Sequence, residues 1–317
     1  MTAFITNNPL VSIIIPAKNE AEIIGNCLSA LIKIDFSPQR YEVIVIDNGS
    51  VDETVSIAKK FGARVFSMPA ANISKLRNYG ADKACGEILA FVDADVLVEK
   101  QWLNNALKLL NSPIVGCVGS SPKIPDNSTW VEQTWHLQIS MRPEREYRKW
   151  IASMNMIIPA NIFKEIGGFN EKLVTCEDVD LGYRLSKRYK IIADKSIGAV
   201  HLGEAKTLWQ LFLKESWRGM GNFDGLRAHG FILQEFPSHA ISFFYTSFIF
   251  VFPVSIILKQ TVAVVALCVL SCIFPLLKAL IVCWRLRSPL PFLKLVIVWM
   301  VYSFARGFSM LRLFAGR

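Results

Sequence analysis

The sequence predicts an α/β domain with a largely parallel sheet, followed by helices that cross or line a membrane. Three observations predict this. Short, uniformly apolar runs alternate with segments of helical period over residues 11–110. Polar, acid-rich residues stand directly after three of those runs. Beyond residue 240 the chain turns into long apolar stretches without a single acid.

The first run, Val11–Pro16, is β-rich and ends at a proline. Residues 20–34 place Ile23, Ile24, Cys27, Leu28 and Leu31 at helical spacing. Tyr41–Ile46 is a second strand, ending at Asp47-Asn48-Gly49-Ser50. Asp52 opens the next helix, Ala63–Ser67 is a third strand, and residues 74–86 are helical. Ile88–Val92 is a fourth strand, ending at Asp93, and a helix follows over 99–110. These strands are apolar along their whole length, as strands covered on both faces are. In such sheets ligands bind beyond the carboxyl ends of the strands. Lys18, Asn19 and Glu20, then Asp47, then Asp93 and Asp95 all fall at that edge.

From residue 113 the alternation weakens. Residues 126–150 are polar with three tryptophans, Gly167-Gly168-Phe169 is a turn, and Asp178–Arg188 is helical. Ile191–Ala193 and Ile197–His201 read as short strands. Residues 206–229 set Leu208, Trp209, Phe212, Leu213 and Trp217 against Lys206, Lys214 and Arg218, which suits a membrane interface. Residues 240–258 carry no charge and 261–284 only Lys278; each is long enough for a bilayer, which takes about 20 helical residues. The run 290–313 contains Lys294, Arg306 and Arg312. Its length favours a third crossing, whereas the positive-inside tendency favours a helix lying along the inner interface.

The net charge is +9, and the segment after Glu235 holds eight basic residues and no acid. The basicity is therefore a membrane property, and no run of aromatic and basic residues suggests a nucleic-acid partner. The polar start, Met1–Pro9, predicts no signal peptide and a cytosolic domain. Seven cysteines without a CxxC pair predict reduced thiols.

Asp93-Ala94-Asp95 can grip a hard divalent ion jointly with phosphate oxygens, or can simply be a turn and helix cap. Asp47 fits a turn, or a contact to a base or ribose. Arg77 and Lys75 fit a solvated helix face, or diphosphate binding. Glu177 and Asp178 suit the first turn of a helix by their charge; one of them could equally be a general base. His201 fits a satisfied surface histidine or a metal ligand.

Taken in order, VSIIIPAKNE (11–20), VIVIDNGSVDET (43–54), KLRNYGADKACGEILAFVDADV (75–96), GGFNE (167–171) and CEDVDLGYRL (176–185) resemble the family 2 inverting glycosyltransferases. The resemblance implies a GT-A fold, a Rossmann-like nucleotide-sugar-binding domain, over about 200 residues. It implies that Pro16, Ala17 and Glu20 line the nucleotide pocket and that Asp47 contacts the base. Arg77 would approach the diphosphate. Asp93 would face the ribose and phosphate side, and Asp95 would hold a Mn or Mg ion. Asp178 would be the base, with Glu177 as orienting neighbour or second choice. Trp217-Arg218 departs in order and spacing from the family's later Gln-x-x-Arg-Trp signature, which argues against processive polymer synthesis.

The expected organisation is a GT-A catalytic domain over 1–205, an amphipathic interface segment over 206–236, and a membrane domain over 237–317 with two to three transmembrane helices. The expected activity moves a sugar from a UDP- or GDP-sugar to a lipid-linked or glycan acceptor in polysaccharide biosynthesis. The expected location is the inner (plasma) membrane, multi-pass, with the catalytic domain cytosolic. Two rivals are a sugar nucleotidyltransferase and a non-catalytic scaffold of polysaccharide export. The first needs a glycine-rich loop where Lys18-Asn19-Glu20 stands, and intact Asp93, Asp95 and Asp178 argue against the second.

Overall fold

The computed structural model describes residues 9–229 and 236–314. The polar start before Pro9, residues 230–235 of the expected interface segment, and Arg317 lie outside the described residues. The chain divides into two compact units, Met1–Pro125 with Pro143–Gly203, and Asp126–Arg142 with Glu204–Arg317.

In the first unit the elements alternate as the apolar runs predict. They are β1 (Val11–Ala17), α1 (Ile24–Ile32), β2 (Tyr41–Asp47), α2 (Thr54–Lys60), β3 (Arg64–Ser67), α3 (Ile73–Lys83), β4 (Ile88–Val92), β5 (Val96–Val98), α4 (Trp102–Leu110) and β6 (Val115–Gly119). The second unit contributes α5 (Trp130–Ser140), after which the first resumes with β7 (Arg145–Arg148), β8 (Asn155–Pro159), α6 (Ala160–Glu165), α7 (Glu177–Leu185), β9 (Lys190–Asp194) and β10 (Ala199–His201). The main sheet has the order β3-β2-β1-β4-β8-β6-β9-β7.

The first four strands pair in parallel, so the carboxyl ends of β1, β2 and β4 meet at one edge. Beyond β4 the sheet is mixed: β8 runs antiparallel to both β4 and β6, and β7 antiparallel to β9. The parallel half coincides with the regular strand–helix alternation. The mixed half coincides with the stretch where that alternation weakens.

Successive residues of a strand face opposite sides of the sheet. Ile13 and Ile15 of β1, with Val43, Val45, Ala90 and Val92, pack on Cys27, Leu28 and Leu31 of α1 and on Trp102 and Leu103 of α4. Ile14, with Ile44, Ile46, Leu89 and Phe91, packs on Leu76 of α3, Phe163, Phe169 and Leu181. Both faces are covered, which is why the strands carry no polar alternation. Gly80 lets α3 lie directly on β1, since a Cβ there would collide with Ile14.

The second unit adds α8 (Leu208–His229), α9 (Phe236–Ile257), α10 (Thr261–Leu286) and α11 (Phe292–Phe314). Three of these, α9, α10 and α11 (as far as Arg312), are long and apolar enough to cross a membrane. On α11, Trp299 and Tyr302 meet Trp135 of α5 with ring centroids 5.6 and 5.7 Å apart. Ser216 of α8 donates to the Ala305 carbonyl at 3.2 Å. Glu215, buried in α8, pairs with Arg306 of α11 at 2.8 Å and with Arg218 at 2.7 Å. Burial pushes the Glu215 carboxyl up, but the two guanidiniums outweigh it and hold it below the usual carboxylate value.

Candidate active site

The site grows out of the carboxyl edge of the parallel half-sheet. Pro16 and Ala17 end β1 and are buried, in register with Ile46 and Asp47 of β2. The loops that follow are stitched together. Asn19, at a left-handed φ of 55°, donates its N–H to Ser50 Oγ at 2.9 Å. The Glu20 N–H donates to Thr54 Oγ1 at 2.7 Å, and Ala21 N–H to the Asp52 carboxylate at 3.1 Å. Asp47 accepts the N–H groups of Gly49 and Ser50, each at 3.1 Å, so its carboxylate shapes the turn.

Asp93-Ala94-Asp95 stands between β4 and β5. Its first carboxylate accepts Arg77 Nη2 at 2.7 Å. Its second faces His201, with Asp95 Oδ2 and His201 Nε2 3.1 Å apart. His201 is carried there by the antiparallel pairing of β10 with β5, which sets it opposite Val96. The Leu202 N–H bonds the Asp95 carbonyl at 2.9 Å and fixes the crossing. At Gly203 any Cβ would collide with Asp95 Oδ2, so glycine there keeps a cradle open against the carboxylate.

Glu177 and Asp178 open α7, after Cys176 turns the backbone through a left-handed φ of 63°. Glu177 accepts Arg77 Nη1 at 2.7 Å and Ser153 Oγ at 3.2 Å. Asp178 accepts the Val179 N–H at 2.8 Å and the Ser153 N–H at 3.4 Å. Burial and the neighbouring Glu177 charge push the Asp178 carboxyl up to about 7, against a downward pull from Arg77. Glu20 also rises to about 7, through burial and then the charges of Asp95, Asp93 and Asp52. Acids outnumber bases here, and perturbed carboxyls of this kind cluster at functional sites.

Among the described residues no group of three or more His, Cys, Asp and Glu has the geometry to hold a metal ion. The donors present still fit one. A hard divalent cation commonly takes one or two carboxylates and completes its shell with substrate phosphates and water. Asp95, with His201 and the Gly203 cradle, offers such a half-site beside a surplus of negative charge.

The structure thus brings Glu20, Asp93, Asp95, His201, Arg77, Glu177 and Asp178 to one edge. Arg77 is only 2% exposed, and its two terminal nitrogens are occupied by carboxylates. Lys75, by contrast, is exposed. Asp180, one turn on, is taken by Arg184 at 2.7 Å, and Arg184 also donates to the carbonyls of Ile166 and Gly168. Sequence reasoning missed Ser153 and Gly203. No motif signals Ser153; the glycine two residues after His201 is a signal for Gly203.

The family model for Glycosyl transferase family 2 matches residues 12–168. Glycosyltransferase AglE of Haloferax volcanii is 30% identical over 200 residues, covering 58% of this chain and 66% of that protein. Validoxylamine A glucosyltransferase of Streptomyces hygroscopicus subsp. limoneus is 27% identical over 221 residues, covering 56% and 48%. The chain thus spans from about half to two thirds of the length of these two relatives. The mannosyltransferase PcManGT of Pyrobaculum calidifontis, solved with GDP-Man and Mn2+, shares the fold with a TM-score of 0.56 at 19% identity, over 69% of this chain and 65% of that one. The ordered motifs, the half-parallel sheet and its acidic carboxyl edge agree with these likenesses: the chain belongs to the family 2 glycosyltransferases, built on a GT-A fold and followed by helices able to span a membrane.

Proposed function

We propose that the chain transfers a sugar from a nucleoside diphosphate sugar, UDP- or GDP-linked, to a lipid-linked or glycan acceptor, with inversion at the anomeric carbon. The observation that carries this reading is Asp178. It is a carboxyl poised near neutrality, tied through Glu177 and Arg77 to the Asp93-Ala94-Asp95 edge where a diphosphate and its cation would sit.

Asp178 takes the proton of the acceptor hydroxyl. The hydroxyl oxygen then forms its bond to the anomeric carbon as the bond to the diphosphate breaks. The nucleoside diphosphate leaves with the bonding electrons, and a single displacement inverts the stereochemistry. Glu177, bonded to Arg77 and to Ser153, orients its neighbour. Pro16, Ala17, Glu20 and Asp47 line the nucleoside end, and Asp93 faces the ribose and phosphates. Asp95, with Asp93 and His201, would hold Mn or Mg, which when bound neutralises charge on a diphosphate. The solved mannosyltransferase with GDP-Man and Mn2+ supports both the donor class and the metal.

The amphipathic α8 and the apolar α9 and α10 support a multi-pass protein of the inner (plasma) membrane with a cytosolic catalytic domain, acting in polysaccharide synthesis. In this arrangement Lys259-Gln260 is the outer turn, and Arg285, Arg287 and Lys294 lie inside, as the positive-inside tendency favours. The domain limits of 1–205, 206–236 and 237–317 go with the same reading. Screening sugar nucleotides for manganese-dependent thermal stabilisation, then for turnover on lipid extract, tests the activity; a chain that neither binds nor turns over any of them overturns it. A cysteine at Gln260, in a background without the native cysteines, should react with an impermeant thiol reagent on intact cells. Reaction only after lysis would reverse the topology.

A further inference from the structure

We infer that Arg77 is a positioning residue that sets the distance between the donor-side carboxylates and the base, and not a ligand of the diphosphate. The inference rests on the glycosyl-transfer reading above. Its ground is the surroundings of one side chain. Arg77 projects from α3, and its guanidinium reaches three separate segments. Nη2 donates to Asp93 at the end of β4, and Nη1 donates to Glu177 at the start of α7, both at 2.7 Å. The guanidinium carbon lies 5.7 Å from the ring centroid of Phe169, in the loop after Gly167-Gly168. The remaining nitrogen, Nε, is sealed from solvent and has no hydrogen-bond partner. Each terminal nitrogen already donates to a carboxylate and the residue is only 2% exposed, so the fork is turned to its two acids and away from the open edge where a phosphate would sit.

The next residue of α3 extends the same function. Asn78 accepts the Phe169 N–H and donates to the Phe169 carbonyl, each at 2.9 Å, and it donates to Glu171 at 3.0 Å. Asn72, the helix N-cap, donates to the Glu171 carbonyl at 2.7 Å. One helix thus fixes the loop over 167–173 with its asparagines and the two acidic segments with its arginine. A planar fork can span two carboxylates at fixed angles, which a point-charge ammonium cannot. Arg77→Lys would keep the charge and lose one bridge. Asp93 would then be free to shift relative to Glu177 and Asp178.

The test compares wild type, Arg77→Lys, Glu177→Gln, Arg77→Met and the double variant Arg77→Met/Glu177→Gln, all as full-length protein. Binding of UDP and GDP with manganese is measured by calorimetry, turnover with the sugar nucleotide found active, and unfolding by thermal melting. Arg77→Lys should lower kcat about a hundredfold and change nucleoside diphosphate affinity by less than about threefold, because misplaced groups cost rate more than ground-state binding. The double variant should melt above Arg77→Met, since no buried Glu177 charge is left unpaired. Its kcat should nonetheless stay about tenfold below that of Glu177→Gln alone, because Asp93 still lacks its anchor.

A loss of nucleoside diphosphate affinity that matches the loss of kcat would make Arg77 a phosphate ligand and overturn the inference. Recovery of kcat to the Glu177→Gln level along with the melting point would reduce Arg77 to a structural prop and overturn it equally. A wild-type chain that binds neither nucleoside diphosphate would sink the transfer reading, and this inference with it.

Discussion

In one unit a single guanidinium, Arg77, serves two carboxylates, Asp93 and Glu177; in the other a single carboxylate, Glu215, serves two guanidiniums, Arg218 and Arg306. The central group of each is buried and each pair closes at hydrogen-bond distance, yet the two centres carry opposite charge. Around Arg77 the acids remain in excess, since Glu20, Asp95 and Asp178 crowd the same edge. Two of those acids rise to about 7, through burial first and the neighbouring acid charges second. Around Glu215 two guanidiniums flank the one carboxyl and hold it low, away from neutrality. A buried ion cluster becomes a place for proton transfer only when the balance leaves a carboxyl hard to ionise. The first cluster meets that condition and the second fixes helices.

The largest effect is expected from the acid that the first cluster leaves outside its bridges. Asp95→Asn should abolish transfer, by at least about a hundredfold, while the fold survives, because an amide is a far weaker donor to a hard cation. Manganese titration of turnover measures it. Normal manganese-dependent turnover by the variant would remove Asp95 from the metal half-site.

Asp178→Asn comes next. A general base contributes about 10²–10⁴-fold, so turnover should fall by that order with nucleoside diphosphate binding retained. The same residue sets the pH profile. Its ionised form is the active one, so wild-type turnover should rise as pH rises through about 7. The sign for stability is the reverse. A carboxyl whose folded value is raised costs stability progressively from the unfolded value near 4 up to about 7, and the full cost stands above that. Asp178→Asn should therefore melt higher than wild type at pH 8 and no higher at pH 4. A variant that melts lower at pH 8 would show that the carboxylate is stabilising and not strained.

How much of this was legible beforehand differs between the two halves of the sheet. The parallel half announced itself, because β1, β2 and β4 are buried on both faces and must be uniformly apolar. The mixed half did so only in part. Ile191–Ala193 reads as a strand and lies in β9, but β7 (REYR) is a polar strand. In the separate two-stranded sheet Ile197–His201 reads as a strand and holds β10, whereas β5, with three residues, is too short for a period to register. α5 was hidden among the polar residues 126–150, although Thr129 and Glu132 form a capping box that marks its start. At the site, Asp93, Asp95, Glu177 and Asp178 were legible from their place after strands and before a helix. The bridge through Arg77 was not, since it joins residues sixteen and one hundred positions away. Sequence spacing carries no information on such contacts. Glu215 and Arg306, ninety-one positions apart, were invisible for the same reason.

A smaller effect belongs to the second cluster. Glu215→Gln removes the carboxylate that Arg306 and Arg218 share, and breaking a buried pair from one side costs about 3–5 kcal/mol. The melting point in detergent should drop accordingly, while nucleoside diphosphate affinity per folded molecule stays at the wild-type value. A parallel loss of affinity would join the two clusters functionally and undo the contrast between them.

The smallest effect should come from Arg218, and it sharpens the contrast within the second cluster. Its side chain is 34% exposed, against 12% for Arg306. It lies three residues from Glu215 on the same helix, so the pair does not join separate elements. Arg306, in contrast, ties α11 to α8. With Arg218 replaced by methionine, Glu215 keeps Arg306 at hydrogen-bond distance and its carboxylate stays compensated. A part-exposed pair within one helix is worth far less than a buried pair between two helices, so Arg218→Met should shift the melting point much less than Arg306→Met. Arg306→Met should instead approach the loss seen for Glu215→Gln, since Glu215 is then left with only the more solvated partner. Equal losses for the two arginines would mean that Glu215 needs both cations. The distinction between a pair that joins two helices and a pair within one helix would then carry no energetic weight in this cluster.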